Sequence, residues 1–126
     1  MKSLVTAVII AAAVVGGSWI YTAKIDSIAK EMALMNEEIT NAAEQADFDT
    51  AQKTASDLNE YIKKNHTAVA AFMDHAELEK IEMNLTRLIC YLNEKNISNS
   101  ILYSKLLEKL IDHLPENYKV SVQNVL

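Results

Sequence analysis

The segment "DHAELEKIEMNLTRLICYL", residues 74–92, decides the fold class of this chain. Its apolar residues recur every three or four positions, which aligns them along one side of an α-helix. Asp74 and Glu77 have the spacing of a capping box, so a helix is predicted to begin at His75. The buried seam of this helix is predicted to consist of Leu78, Ile81, Leu85, Leu88 and Leu92.

Helical patterns also flank this segment on both sides. Apolar spacing predicts a helix over residues 25–46, and a second helix that Asp47 caps and that ends near Asn65. Residues 66–73 are predicted to form a short helical turn, and a last helix runs from about Asn99 to Leu114, because Pro115 cannot continue it. The sequence therefore predicts an all-α fold, an antiparallel bundle of about four helices, with the tail after Pro115 packed along it.

A weak internal repeat relates the two halves of this bundle. An offset of 49 aligns the turn residue Asp47 with Asn96 and the core residue Leu58 with Leu107. This match predicts two stacked helical hairpins, tetratricopeptide-like in shape.

The N-terminal run of residues 4–21 contains no charged residue and, as a helix, spans roughly 27 Å, close to the thickness of a bilayer core. Trp19 and Tyr21 are predicted to lie at the membrane interface. We therefore expect residues 1–23 to form a transmembrane signal anchor with a cytoplasmic N-terminus, and residues 24–126 to form an extracytoplasmic domain. A cleaved secretory signal and the opposite orientation, with a short translocated tail, remain the alternatives.

Composition excludes several classes of function. The 126 residues include two glycines, Gly16 and Gly17, both inside the apolar run. Phosphate-binding loops, dinucleotide fingerprints and nucleophile elbows each need glycine at a tight turn or a close ligand approach. No catalytic residue, no cofactor and no small-molecule substrate is predicted, and we expect the protein not to be an enzyme.

The acidic charge of the chain argues against nucleic-acid partners. Without Lys2, the predicted domain has 11 basic residues and 17 acidic ones, a formal net charge near −6. A nucleic-acid-binding domain needs a basic surface to neutralise phosphates. Cys90 is the one cysteine, so a disulfide within the chain is impossible, and helix packing must supply the stability.

Asp74, His75, Glu79 and Glu82 are the candidate site residues. On a helix, the last three lie within about 60° of one another, because each residue advances 100°. A histidine and a carboxylate four residues apart can supply two metal ligands, but zinc sites need three or four. Three interpretations compete: structural packing of His75 beside the helix cap, a polar spot that contacts a partner, and a metal or catalytic site. No metal is predicted.

Three segments give the chain a resemblance to a known family: "FMDHAELEKIEMNLTRL" (72–88), "LLEKLIDHLPEN" (106–117) and "QNVL" (123–126). The chain resembles an uncharacterised family of short, membrane-anchored, all-helical proteins of spore-forming Gram-positive bacteria, classified as a domain of unknown function. It departs from the family pattern in residues 66–72, which contain no tryptophan. The resemblance implies a single-pass, extracytoplasmic helical domain with no established activity and a membrane-protein partner.

Three functions follow as expectations. The first is a non-enzymatic binding or scaffold protein that is anchored by residues 4–21 and contacts a membrane or envelope partner through a groove between its two hairpins. The second is an accessory subunit that stabilises a polytopic membrane complex. The third is an envelope metal-binding protein or hydrolase.

Overall fold

The computed structural model describes residues 1–71 and 73–114, with the side chains of Ser18, Tyr21 and Thr22 left out. The predicted tail after Pro115 therefore lies outside the described residues. The described part is helical throughout its five elements, which confirms the all-α prediction. They are α1 (Lys2–Glu44), α2 (Phe48–Lys64), α3 (His66–Ala70), α4 (His75–Asn93) and α5 (Ile97–Asp112).

Four of these helices form a closed antiparallel bundle. Short turns join α1 to α2 and α4 to α5, so each pair is a hairpin. The hairpins pack together because α2 contacts α4 and α1 contacts α5. Gln52 at the start of α2 donates from Nε2 to the carbonyl of Leu92 at the end of α4, at 3.0 Å. The two predicted hairpins therefore close into a ring of four helices, in which the first helix, α1, contacts the last, α5. In a tetratricopeptide-like stack, the layers between them would instead separate the first helix from the last.

The two hairpin turns have the same backbone structure, 49 residues apart. In the first, the amides of Ala46 and Asp47 donate to the carbonyls of Ala43 and Ala42. In the second, Lys95 and Asn96 make the equivalent bonds to Leu92 and Tyr91. Ala46 and Lys95 both have φ of 57°, and this geometry is a Schellman motif. Asp47 and Asn96 then cap the next helices by accepting from the amides of Thr50 and Asn99. The predicted offset of 49 is confirmed at these turns.

The bundle core consists mainly of leucine, isoleucine and alanine. The five residues predicted to form the buried seam of α4, from Leu78 to Leu92, are the buried residues of this helix in the structure. Leu58 of α2 and Leu107 of α5, paired by the repeat, are both fully buried. The buried side of α5 is less apolar, because Leu106 is exposed and the polar residues Ser100 and Ser104 are buried.

Helix α4 begins at His75, as predicted, but its capping box does not form. Asp74 occupies the N-cap position, and its side chain makes no capping hydrogen bond. The backbone amide of Glu77 donates instead to the backbone carbonyl of Asp74, at 3.0 Å. Met73, just before the cap, and Leu78, in the first turn of α4, are both buried in the core of the bundle.

Helix α1 is one continuous helix of 43 residues, with two different environments along its length. Ile25 is its first buried residue, and every residue before it whose side chain is described is exposed. Residues 2–24, here named the projecting half, extend about 35 Å beyond the bundle at 1.5 Å per residue. The apolar run is therefore continuous with the first helix of the bundle.

The prediction of an N-terminal transmembrane helix is wrong. Among residues 1–71 and 73–114, no helix is long and apolar enough to cross a membrane. Residues 4–21 do not form a separate helix, because α1 continues without a break into the charged residues Lys24, Asp26 and Lys30. The apolar run is therefore the first part of a longer helix that becomes amphipathic where the bundle begins.

Candidate functional site

The predicted polar stripe lies on the outer surface of α4, where its members do not converge. Asp74, His75 and Glu79 are exposed, and Glu82 is half-buried. His75 and Glu82 are seven residues apart, so their Cα atoms are separated by about 10 Å along the helix axis. Because His75 is exposed, it fills no space in the core, and the packing interpretation loses its basis.

Glu82 instead faces a different histidine. The Nε2 atom of His66, the first residue of α3, lies 3.8 Å from Oε1 of Glu82. Both side chains are nearly half exposed, so a pair of this kind contributes little to stability, typically about 0–1 kcal/mol. The pair joins α3 to α4. Spacing along one helix could not have identified it, because the partners are 16 residues apart and come together only after the chain reverses.

Glu79 and Glu82 also line a shallow depression of about 380 Å³ with Met83, Thr86 and Arg87. One cation and two carboxylates share this open surface. Within the described residues, no group of three or more histidine, cysteine or acidic side chains is placed to hold a metal ion. The α4 stripe therefore offers a solvated polar surface.

The projecting half of α1 presents a continuous apolar surface. Trp19 is 76% exposed, and the other large apolar side chains of this segment are more than half exposed. They are Leu4, Val5, Val8, Ile9, Ile10, Val14, Val15 and Ile20. The side chain of Tyr21 lies outside the described part, and the interface role predicted for Trp19 and Tyr21 followed from the transmembrane helix corrected above. Apolar patches of this size on soluble proteins usually mark interaction surfaces.

A polar layer interrupts the core between α1 and α5. Nδ2 of Asn36 donates to the backbone carbonyl of Ser104 at 2.8 Å, and Thr40 Oγ1 lies 2.9 Å from Ser104 Oγ. Asn36, Thr40, Ser100 and Ser104 are all buried, but Oδ1 of Asn36 and Oγ of Ser100 have no hydrogen-bond partner among residues 1–71 and 73–114. An unsatisfied buried polar atom costs about 1–3 kcal/mol, so this layer contributes less to stability than an apolar layer of the same shape would.

Asn36 and Thr40 also line a groove between α1 and α5, the junction of the two hairpins. Its volume is about 390 Å³. The remaining lining residues are Ala33, Glu37, Asn41 and Glu44 of α1 and Lys105, Glu108 and Asp112 of α5. Four carboxylates and one ammonium group surround it, and Nζ of Lys105 lies 4.0 Å from Oε2 of Glu108.

The sequence interpretation missed this polar layer, although its signal is present. Asn36 and Thr40 are four residues apart on α1, and so are Ser100 and Ser104 on α5. Each pair occupies one side of its helix, in line with buried apolar residues. The apolar stripe predicted for residues 25–46 included Met35 and Ala46, which are half-buried and exposed. Polar residues were assigned to the surface, and the buried face of α1 was therefore misplaced by part of a turn.

Comparison with known proteins identifies the family and nothing more specific. No curated protein and no solved structure matches the chain. One family model matches residues 19–125, a region that includes the whole bundle and begins near the end of the projecting half. The match covers most of the chain, and the chain therefore belongs to the family described as Domain of unknown function (DUF4363).

Proposed function

We propose that this protein is a non-enzymatic helical binding protein that holds a partner protein against the projecting half of α1. The observation that carries the proposal is the exposure of that half. Every residue from 1 to 20 whose side chain is described is exposed, including nine large apolar residues from Leu4 to Ile20. Burial of this surface is favourable by about 25 cal/mol per Å² of apolar area removed from water.

The helical state of the projecting half gives a second argument for a partner. Most of the stability of a helix in a protein comes from tertiary packing of its apolar face, and the described side chains of the projecting half are all exposed. Gly16 and Gly17 add a cost of roughly 1 kcal/mol each in a helix interior, and a Cβ atom at either position would meet nothing within 4 Å apart from its chain neighbours and the nearby backbone of its own helix. Contact with a partner would stabilise this helix and use the space that the two glycines leave open.

An accessory subunit of a polytopic membrane protein complex is the second candidate function. It is favoured by the distribution of apolar residues around all sides of the projecting half, because a partner with several apolar helices could cover more than one stripe of this helix. The apolar stripe from Met32 to Ala46 was also expected to contact such a complex, but Met32, Ile39 and Ala42 are buried inside the bundle and are not available to it. The spore-forming Gram-positive origin and the extracytoplasmic location of residues 24–126 stay predictions.

Site-specific photocrosslinking in cells tests the proposal. A photoreactive amino acid replaces Val8 in the projecting half, and a matched control replaces Leu102 of α5, which is 52% exposed on the bundle. We expect one discrete covalent adduct from position 8 and none from position 102. Mass spectrometry of the adduct identifies the partner and distinguishes a polytopic membrane protein from other proteins.

Two outcomes count against the proposal. Equal adducts at both positions would indicate random collisions, and no adduct at position 8 would leave the apolar surface without a protein partner. An adduct between two copies of this chain would replace the proposed partner with self-association.

A further inference from the structure

The repeat of 49 residues extends from the two turns into the core of the bundle. Each of the five buried residues of α4 and the four buried residues of α5 has a buried counterpart 49 positions earlier in the chain. The counterparts are Ala29, Met32, Asn36, Ile39 and Ala43 in α1, and Ala51, Ala55, Leu58 and Ile62 in α2. The buried faces of the two hairpins therefore correspond residue by residue, and the α1–α5 junction is the counterpart of the α4–α2 junction.

The two corresponding junctions differ in polarity at one layer. At the α1–α5 junction, Nδ2 of Asn36 donates to the carbonyl of Ser104 at 2.8 Å, and the hydroxyl oxygens of Thr40 and Ser104 are 2.9 Å apart. At the α2–α4 junction, the counterparts of the polar residues are all apolar. In order, Asn36, Thr40, Ser100 and Ser104 correspond to Leu85, Ile89, Ala51 and Ala55. A hydrogen bond between side chains therefore joins the hairpins at one junction and has no equivalent at the other.

The repeat makes an alternative assembly of two copies conceivable. Because α2 is the counterpart of α5, the first hairpin of one copy has a face that matches the first hairpin of a second copy, an arrangement here named like pairing. In it, Thr40 would meet the methyl group of Ala55 in place of the hydroxyl of Ser104. If second hairpins paired in the same way, the two serines of α5 would lie against Leu85 and Ile89. Like pairing therefore loses the hydrogen bond between hairpins and buries hydroxyl groups against apolar ones, which is unfavourable.

We propose that the polar layer selects which hairpins pair: it joins the first hairpin to the second hairpin of the same chain and disfavours like pairing with a second copy. Size does not make this distinction at the layer, because Asn36 is close in size to Leu85, and Ser104 to Ala55. Size adds to the selection at two other layers, where leucines of α4 correspond to alanines of α1. This role belongs to the bundle and does not depend on the projecting half or on its partner.

Disulfide trapping between two copies of the full chain tests this proposal. Copies with Glu37→Cys are mixed with copies with Ser56→Cys, both in a Cys90→Ala background. Glu37 and Lys105 line the same groove at the α1–α5 junction, and Ser56 is the counterpart of Lys105, so like pairing brings the two thiols together. The control pair combines Glu37→Cys with Lys53→Cys, because Lys53 is exposed on the side of α2 opposite its buried face. The control measures disulfides that form by random collision.

The layer variant, Asn36→Leu with Thr40→Ile, Ser100→Ala and Ser104→Ala, gives both junctions the same residues at this layer. With the polar layer intact, we expect the disulfide between positions 37 and 56 to form at the control level. In the layer variant we expect its yield to rise to about threefold the control level or more, while the melting temperature does not fall. If that chain does not fold, Thr40→Val with Ser104→Ala removes the hydroxyl pair alone, and the same rise is expected. Equal yields with and without the polar layer would overturn the proposal, as would a yield above the control while the layer is intact.

Discussion

Tyr61 of α2 lies half-buried against the core of the bundle. Burial raises the pKa of its phenol above the usual value, because the ionised form loses hydration, and the negative charge of Glu31 on α1 raises the pKa further. The folded state therefore favours the neutral form of this side chain more strongly than the unfolded state does.

This link predicts that alkaline pH destabilises the bundle. Below the ordinary tyrosine pKa of about 10, both states keep the proton and the contribution of Tyr61 is complete. As pH rises through that value, the unfolded chain releases the proton first, and stability falls until the pKa of the folded state is passed. Urea unfolding near pH 9 and near pH 11 is expected to show a smaller loss for Tyr61→Phe than for the wild type. Equal losses would mean that the phenol does not affect this pH dependence.

Two polar residues show why the site could be predicted only in part. Spacing correctly placed Glu79 and Glu82 on one side of α4, because that follows from helix geometry alone. The contact of Glu82 with His66 depends on how α3 folds back, and the burial of Asn36 depends on how the two hairpins pack. The spacing of residues along one helix predicts neither the contact of Glu82 with His66 nor the burial of Asn36.

At the scale of the elements, the spacing of apolar residues was sufficient to predict which residues are buried where a helix buries a single apolar seam. This holds for α4, whose five predicted seam residues are its five buried residues. It also placed Leu58 and Ile62 of α2 in the core. It failed where two helices meet through polar residues, since Ser100 and Ser104 of α5 resemble surface residues in the sequence.

The two turns store strain that a substitution can release. Ala46 and Lys95 adopt a left-handed conformation that favours glycine. Replacement of Lys95 with glycine removes that strain, partly offset by the greater entropy of the unfolded chain, for a net stabilisation of about 0.5–1 kcal/mol. Denaturant unfolding of Lys95→Gly measures this gain.

The matched control is Lys53→Gly, at an exposed position inside α2. Glycine in a helix interior is expected to destabilise the protein by about 1 kcal/mol. The two substitutions are expected to change stability in opposite directions, because residue 95 has a left-handed backbone conformation and residue 53 has a helical one. Equal destabilisation by both substitutions would show that residue 95 is not left-handed in solution.

At the scale of the whole molecule, α1 divides the protein into two parts. Residues 25–44 pack into the bundle, while residues 2–24 extend from it and have exposed side chains wherever these are described. The sequence pattern identified the apolar segment of residues 4–21. It led to a membrane-spanning assignment because length and apolar character were read in isolation from the helix that continues them.

The bundle is complete without the projecting half, which is therefore available to a partner. The most direct test compares the free energy of unfolding of the full chain with that of a shortened chain that begins at Lys24. Because the first buried residue is Ile25, the two values are expected to agree within about 0.5 kcal/mol. A loss of more than about 2 kcal/mol would contradict the claim, because it would show that residues 2–23 contribute to the packed core.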